Sequence, residues 1–108
     1  MSGIQDDIIN ARRTIVENLR MAWNIYQAQE YAINATLASV NANKTALAGI
    51  RDEQQRGRRT VLDVLNAEQE LLNSRVAHIQ AVHARISAYF AVLASVGKLT
   101  PENLGLEF

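Results

Sequence analysis

Proline is almost missing from this chain. Pro101 is the single example in 108 residues, so nothing before it removes a backbone N–H and forces a helix to stop. From about Ile4 to Gln55 the sequence reads as one uninterrupted helix. Leu19, Tyr26, Ile33, Val40 and Leu47 recur at seven-residue spacing, with Val16, Trp23 and Leu37 on companion positions that Glu30 and Lys44 interrupt. Such a repeat is the pattern of a coiled-coil seam, because it keeps one apolar row facing a partner helix.

The break is expected at Gly57. Glycine accepts the left-handed conformation that ends a helix, and Arg51 and Arg56 stand where cations favour the negative end of the helix dipole. Thr60 reads as an N-cap, with Asp63 placed to meet free backbone N–H groups. A tip turn over 56–60 then leads into a second helix over about 61–96, closed by Gly97. So short a connection forces the helices to lie antiparallel. Leu65, Leu72, Ile79, Ile86 and Leu93 repeat the seven-residue step. Beyond them, Thr100-Pro101-Glu102 reads as an N-cap followed by proline at the start of a short turn over 100–104. The expected fold is all-α: one long antiparallel two-helix coiled-coil hairpin, a single unit over 1–108, with no β-barrel strands.

Each helix carries a second stripe of small residues. It comprises Ala28, Ala32, Ala35, Ser39, Ala42, Ala46 and Gly49 in the first, and Ser74, Ala77, Ala81, Ala84, Ala88, Ala91 and Ser95 in the second. On a helical wheel each lies roughly 150–180° from the large-residue stripe of its own helix. Helices with apolar stripes on opposite sides want neighbours on both, as in a curved layer or closed ring, and a lone hairpin leaves one stripe per helix uncovered. A further row, Asp63, Asn66, Glu70, Asn73 and Gln80, shares one side of the second helix and would face a lumen or solvent.

Composition removes most other functions. Eleven basic residues balance eleven acidic ones, so charge points to neither nucleic acid nor an anionic membrane. No cysteine is present, which excludes thiolate metal sites and cysteine nucleophiles. His78 and His83 are five residues apart, roughly 140° around a helix, and cannot share a metal. No phosphate loop or activated nucleophile occurs, so no catalytic residue, cofactor or metal is expected. The first residues show neither the basic nor the apolar region of a signal peptide. The longest uncharged stretches, 31–43 and 86–97, fall short of the roughly 18 apolar residues of a membrane span, so no transmembrane helix is expected.

The turn and its continuation, Gly57-Arg58-Arg59-Thr60-Val61-Leu62-Asp63-Val64-Leu65-Asn66-Ala67, resemble the periplasmic tip of TolC-like outer-membrane efflux proteins. So does the run through Glu70-Leu71-Leu72-Asn73 and Tyr89 to Ser95-Val96-Gly97-Lys98-Leu99-Thr100. Upstream, Ala22-Trp23 and the alanine-rich 31–48 stretch are similar too. The resemblance implies the final helical pair of the second repeat of a trimeric channel, part of its periplasmic α-barrel, without a first repeat or barrel strands. It further implies an outer-membrane location, a homotrimer, and a tripartite pump with a periplasmic adaptor protein and an inner-membrane pump. Gly57, Arg58, Arg59, Thr60 and Val61 would form the tip gate and adaptor-docking turn. Asp63, Asn66, Glu70 and Asn73 would line the aperture or pore, through which substrates pass unchanged. Asn66 stands where some members carry a second aspartate, which weakens the implied negative ring. The seams alone fit a self-assembling soluble coiled-coil module equally well; the ordered Arg-Thr-x-x-Asp tip favours the channel.

Overall fold

A computed structural model describes residues 2–98, the side chain of Ser2 excepted. Two helices account for nearly all of them: α1, Ser2–Gln55, and α2, Val61–Lys98, joined as a hairpin. The described residues contain no strand. The short turn expected over 100–104 lies outside them. α2 does not close at Gly97 but continues to Lys98. Among the described residues only Gly57 has a positive φ, so Gly97 lacks the left-handed conformation of a helix terminator. A glycine inside a helix costs only about 1 kcal/mol, too little to end one by itself.

Residues 29–83 form the tip-side unit. Its core is Val40, Leu47 and Leu71, with Val64 and Ala67 packed against it. On α1 the inward row is the large-residue stripe, Ile33, Val40 and Leu47, but its companions are Thr36, Asn43 and Ile50, three residues on, not the row containing Leu37 and Lys44. Leu37 is exposed. The choice has a plain physical cause, since the alternative would have buried the Lys44 ammonium.

On α2 the inward side is the opposite kind of stripe. Ser74 and Ala81 are buried together with Leu71, whereas Leu65, Leu72 and Ile79 are 53%, 52% and 65% exposed. The α2 side of the seam therefore combines Val64 and Leu71 with the small residues Ala67, Ser74 and Ala81, and the row Leu65, Leu72 and Ile79 is left outside. Small residues at a helix contact permit close approach of the axes, at the short end of about 8–10 Å.

One layer of this seam is polar. Thr36 Oγ1 lies 2.7 Å from the Ala32 carbonyl and 3.1 Å from that of Ile33, and 2.9 Å from His78 Nδ1. The single hydroxyl proton goes to a carbonyl, so Oγ1 accepts from Nδ1–H of His78. The buried Ser74 hydroxyl likewise donates to the Leu71 carbonyl at 2.8 Å. Among the described residues no buried side-chain polar atom lacks a partner.

Residues 2–28 and 84–98 belong to the second unit. Here too the small α2 residues Ala88 and Ser95 are buried, opposite a buried Ala22, and Ile86 and Leu93 are exposed. Trp23, expected on the seam, is 47% exposed. It stacks on Tyr26 at 5.7 Å between ring centroids. Tyr26 meets Tyr89 at 6.2 Å, and Tyr89 meets Phe90 edge-on at 5.8 Å. Arg85 occupies an inward position, its guanidinium 5.1 Å from the Tyr26 ring centre and its Nη2 donating to the Tyr26 hydroxyl at 3.2 Å. Ring face and hydroxyl together satisfy a cation that aliphatic neighbours could not.

α2 is also the one described helix long and apolar enough by composition to cross a membrane. That measure goes by length and composition and admits a charged residue, so it spans Arg85, which bounds the uncharged stretch 86–97. Most of this apolar surface is the outward stripe, which a neighbouring helix would cover as well as lipid would.

Candidate functional site

The tip is built by two complementary end-caps. Gly57 takes φ +79°. Its N–H donates to the Gln54 carbonyl at 3.0 Å, and the Arg58 N–H donates to the Glu53 carbonyl at 2.8 Å. This is the Schellman pattern, which satisfies carbonyls at the end of α1 that have no helical partner. At the start of α2, the Asp63 N–H donates to Thr60 Oγ1 at 3.2 Å, and the Thr60 N–H donates to Asp63 Oδ2 at 3.0 Å. Thr60 and Asp63 thus form a reciprocal capping box, with aspartate in the place more often taken by glutamate.

Charge ties the caps together. Arg59 Nε lies 2.6 Å from Glu53 Oε2, across the turn. Arg51 reaches α2 through Glu68 at 2.8 Å, and Arg56 reaches back to Asp52 at 3.5 Å. Arg51 and Arg56 had been expected to serve the dipole of α1, but no basic residue falls in its last turn; both find carboxylates instead. These pairs are exposed, where water and salt screen them, and they orient the turn more than they hold it.

Two of these groups titrate away from their ordinary values. The Glu53 carboxylate, first as hydrogen-bond acceptor and then as nearby charge, raises the Arg59 pKa. The Asp63 carboxyl is lowered, chiefly by the Thr60 backbone N–H, then by the Thr60 side chain, and least by Arg59. Asp63 is thus held ionised by the cap.

The residues expected at the gate are gathered at one end: Gly57, Arg58, Arg59 and Thr60 make the turn, and Val61 opens α2 with its side chain exposed. Asp63 is half-buried, while Asn66, Glu70 and Asn73 follow along α2 and are exposed. Asn73 accepts from Gln69 Nε2 at 2.9 Å. No group of three or more metal-ligating side chains occurs among the described residues. Sequence reasoning missed the Thr36–His78 and Arg85–Tyr26 contacts. Both could have been found by continuing Val64 and Leu71 in steps of seven, which lands on His78 and Arg85 at inward positions.

The chain is 32% identical over 104 residues to the outer membrane efflux protein BepC of Brucella suis, a match covering 96% of this chain. It is related to the TolC-like outer-membrane efflux proteins. A second similarity, 24% over 102 residues and 94% of the chain, is to the outer membrane protein TolC of Escherichia coli. The chain spans only about a fifth of either relative, 22% and 21%. No family model matches the chain, and no solved structure matches it. A TolC-like helical hairpin is what both the similarity and the fold describe.

Proposed function

We propose that this hairpin is one stave of a periplasmic efflux tunnel, and that its tip is the gate and adaptor-docking end. The observation that supports this most is the tip itself. A loop needed only to reverse the chain requires a glycine and some polarity. This one combines a Schellman stop, a reciprocal Thr60–Asp63 box and the Arg59–Glu53 pair, in a chain that aligns over 96% of its own length with an outer membrane efflux protein. A rigid, charged turn suits recognition by a second protein better than a flexible one, because less ordering entropy is lost on docking.

On this reading the complete channel sits in the outer membrane as a trimer, and meets a periplasmic adaptor and an inner-membrane pump. Residues 57–61 are gripped by the adaptor. Threefold repetition brings three Asp63 carboxylates around one axis, with Asn66, Glu70 and Asn73 behind them, so the aperture attracts cations. Small molecules or proteins pass without chemical change. Opening requires the tip helices to slide against their neighbours, a shear-type change.

The test is a graft. Residues 2–98 replace the matching segment of the Brucella suis protein, and dye efflux is measured in cells that depend on that channel. Efflux is expected to persist, and to fall to background when Arg58 and Val61 are both replaced by aspartate. A graft that reaches the outer membrane at normal abundance yet exports nothing would overturn the proposal.

A further inference from the structure

Arg85 stands half-buried in the unit formed by residues 2–28 and 84–98. A guanidinium drawn partly out of water is normally matched by a carboxylate, because burial penalises an unpaired charge. None is supplied here. Among the described residues the ion pairs all lie at the tip, between residues 51 and 68, and α2 has no acidic residue after Glu70. Arg85 is held instead by Tyr26, whose ring centre is 5.1 Å from the guanidinium carbon and whose hydroxyl accepts from Nη2 at 3.2 Å. A ring face and a hydroxyl fix the group in place and leave its charge uncompensated. Its other N–H groups meet no acceptor among the described residues. They form a planar fork of fixed shape, which matches the two oxygens of a carboxylate or a sulfonate.

Flat apolar surface adjoins this fork. Tyr89 follows Arg85 by one helical turn and so shares its side of α2. Its ring centre lies 6.2 Å from that of Tyr26 and 5.8 Å from that of Phe90, the last two rings meeting edge-on at 72°. Two rings set nearly at right angles make a corner in which a third ring stacks on one and meets the edge of the other. Tyr89 is 49% and Phe90 62% exposed, so the corner is open. Trp23 stacks on Tyr26 at 5.7 Å and braces the ring that holds the guanidinium.

Charge then selects the ligand. Aromatic faces alone favour cations, but Arg85 already occupies the Tyr26 face and repels another. A neutral ring would fill the corner and leave the fork unused. Only a flat anion answers both parts.

We infer that Arg85, Tyr89 and Phe90 form a binding site for a planar aromatic anion, its oxygens on the Arg85 fork and its ring in the Tyr89–Phe90 corner. The site lies outside the tip-side unit and uses no residue placed in the gate or the aperture. It goes beyond the tunnel reading and stands without it.

The test uses the full chain, labelled with nitrogen-15, and three probes with the same ring system and different charge: 2-naphthoate, 2-naphthalenemethanol and 2-naphthylmethylammonium. Two-dimensional nitrogen–proton spectra read the amides of Arg85, Tyr89 and Phe90 and the indole of Trp23, the chain's single tryptophan. 2-Naphthoate is expected to shift these resonances saturably, with an affinity at least about tenfold above that of the other two probes, the scale of one hydrogen bond between charged groups. Arg85→Gln is expected to abolish that preference while circular dichroism shows the chain still helical. Phe90→Ala, at an exposed position, is expected to weaken 2-naphthoate binding by about threefold or more and to keep the preference for the anion. Equal affinity for the three probes would reduce the corner to an unselective apolar patch and overturn the inference. So would a lack of saturable shifts with 2-naphthoate at these residues, or a preference for the anion that survives in Arg85→Gln. The comparison of probes needs only the unaltered chain, so it decides the matter even if a variant fails to fold. Transport is not measured, so failure here is distinct from failure of the graft.

Discussion

Gly57 and Asp63 show how much of the tip depends on single side chains. At φ +79° a residue with a Cβ is strained by about 1–2 kcal/mol, and since nothing lies within 4 Å of a Cβ built there, that cost is backbone strain without a clash. Gly57→Val is therefore expected to lower hairpin stability by about that amount in urea unfolding, and Gly57→Asn by less, because asparagine tolerates the left-handed region. Asp63 brings a pH dependence whose sign follows from its lowered pKa. A carboxyl with a folded value below its unfolded one contributes fully above the unfolded value, and the contribution disappears as pH falls through the folded one. Protection of the Thr60 amide against hydrogen exchange is expected to hold at neutral pH and to weaken on acidification below the ordinary carboxylate range. Asp63→Asn is expected to flatten that dependence. These two residues were legible from sequence because caps are local: a helix end, a glycine and a Thr-x-x-Asp spacing need no tertiary context.

At the scale of the helices, the decisive fact is which stripe turns inward. α1 buries Val40 and Leu47, and α2 buries Ser74 and Ala81 while exposing Leu65, Leu72 and Ile79. A direct contrast follows. In dilute, monomeric chain, Leu47→Ala is expected to cost about 2–5 kcal/mol, and Leu72→Ala well under 1 kcal/mol, as judged by thermal unfolding. Equal losses would mean that the large α2 stripe is inside after all. Ala81→Leu is expected to destabilise by about 1–3 kcal/mol, because the small face has no room for it. The seven-residue repeats were visible in the sequence, yet they did not reveal that Leu65 and its row face away from α1. Both stripes of α2 have the same period, and periodicity alone cannot rank them. Nor did it reveal the polar layer, since Thr36 and His78 are 42 positions apart in the chain and become neighbours only once the helices are in register.

For the molecule as a whole, the hairpin is a half-finished surface. Its interior takes one stripe from each helix and leaves the other exposed, which agrees with the proposed stave. If the proposed channel is built from such staves, Asp63→Ala in the complete protein is expected to reduce cation preference at the aperture. The reversal potential under a salt gradient reads this directly; an unchanged current–voltage curve would remove Asp63 from the aperture. Sequence by itself determined the all-α hairpin, the position of its turn and the chemistry of both caps. Each of these depends on local periodicity, on the absence of proline and on residues within one helical turn of each other. Only the tertiary structure decided that, in the tip-side unit, α1 turns in Val40 and Leu47, and α2 turns in Leu71 with Ser74 and Ala81 while Leu65, Leu72 and Ile79 stay outside. That outcome depends on how two long helices share the burial of Val40, Leu47 and Leu71, a competition between faces that the one-dimensional repeat presents as equals.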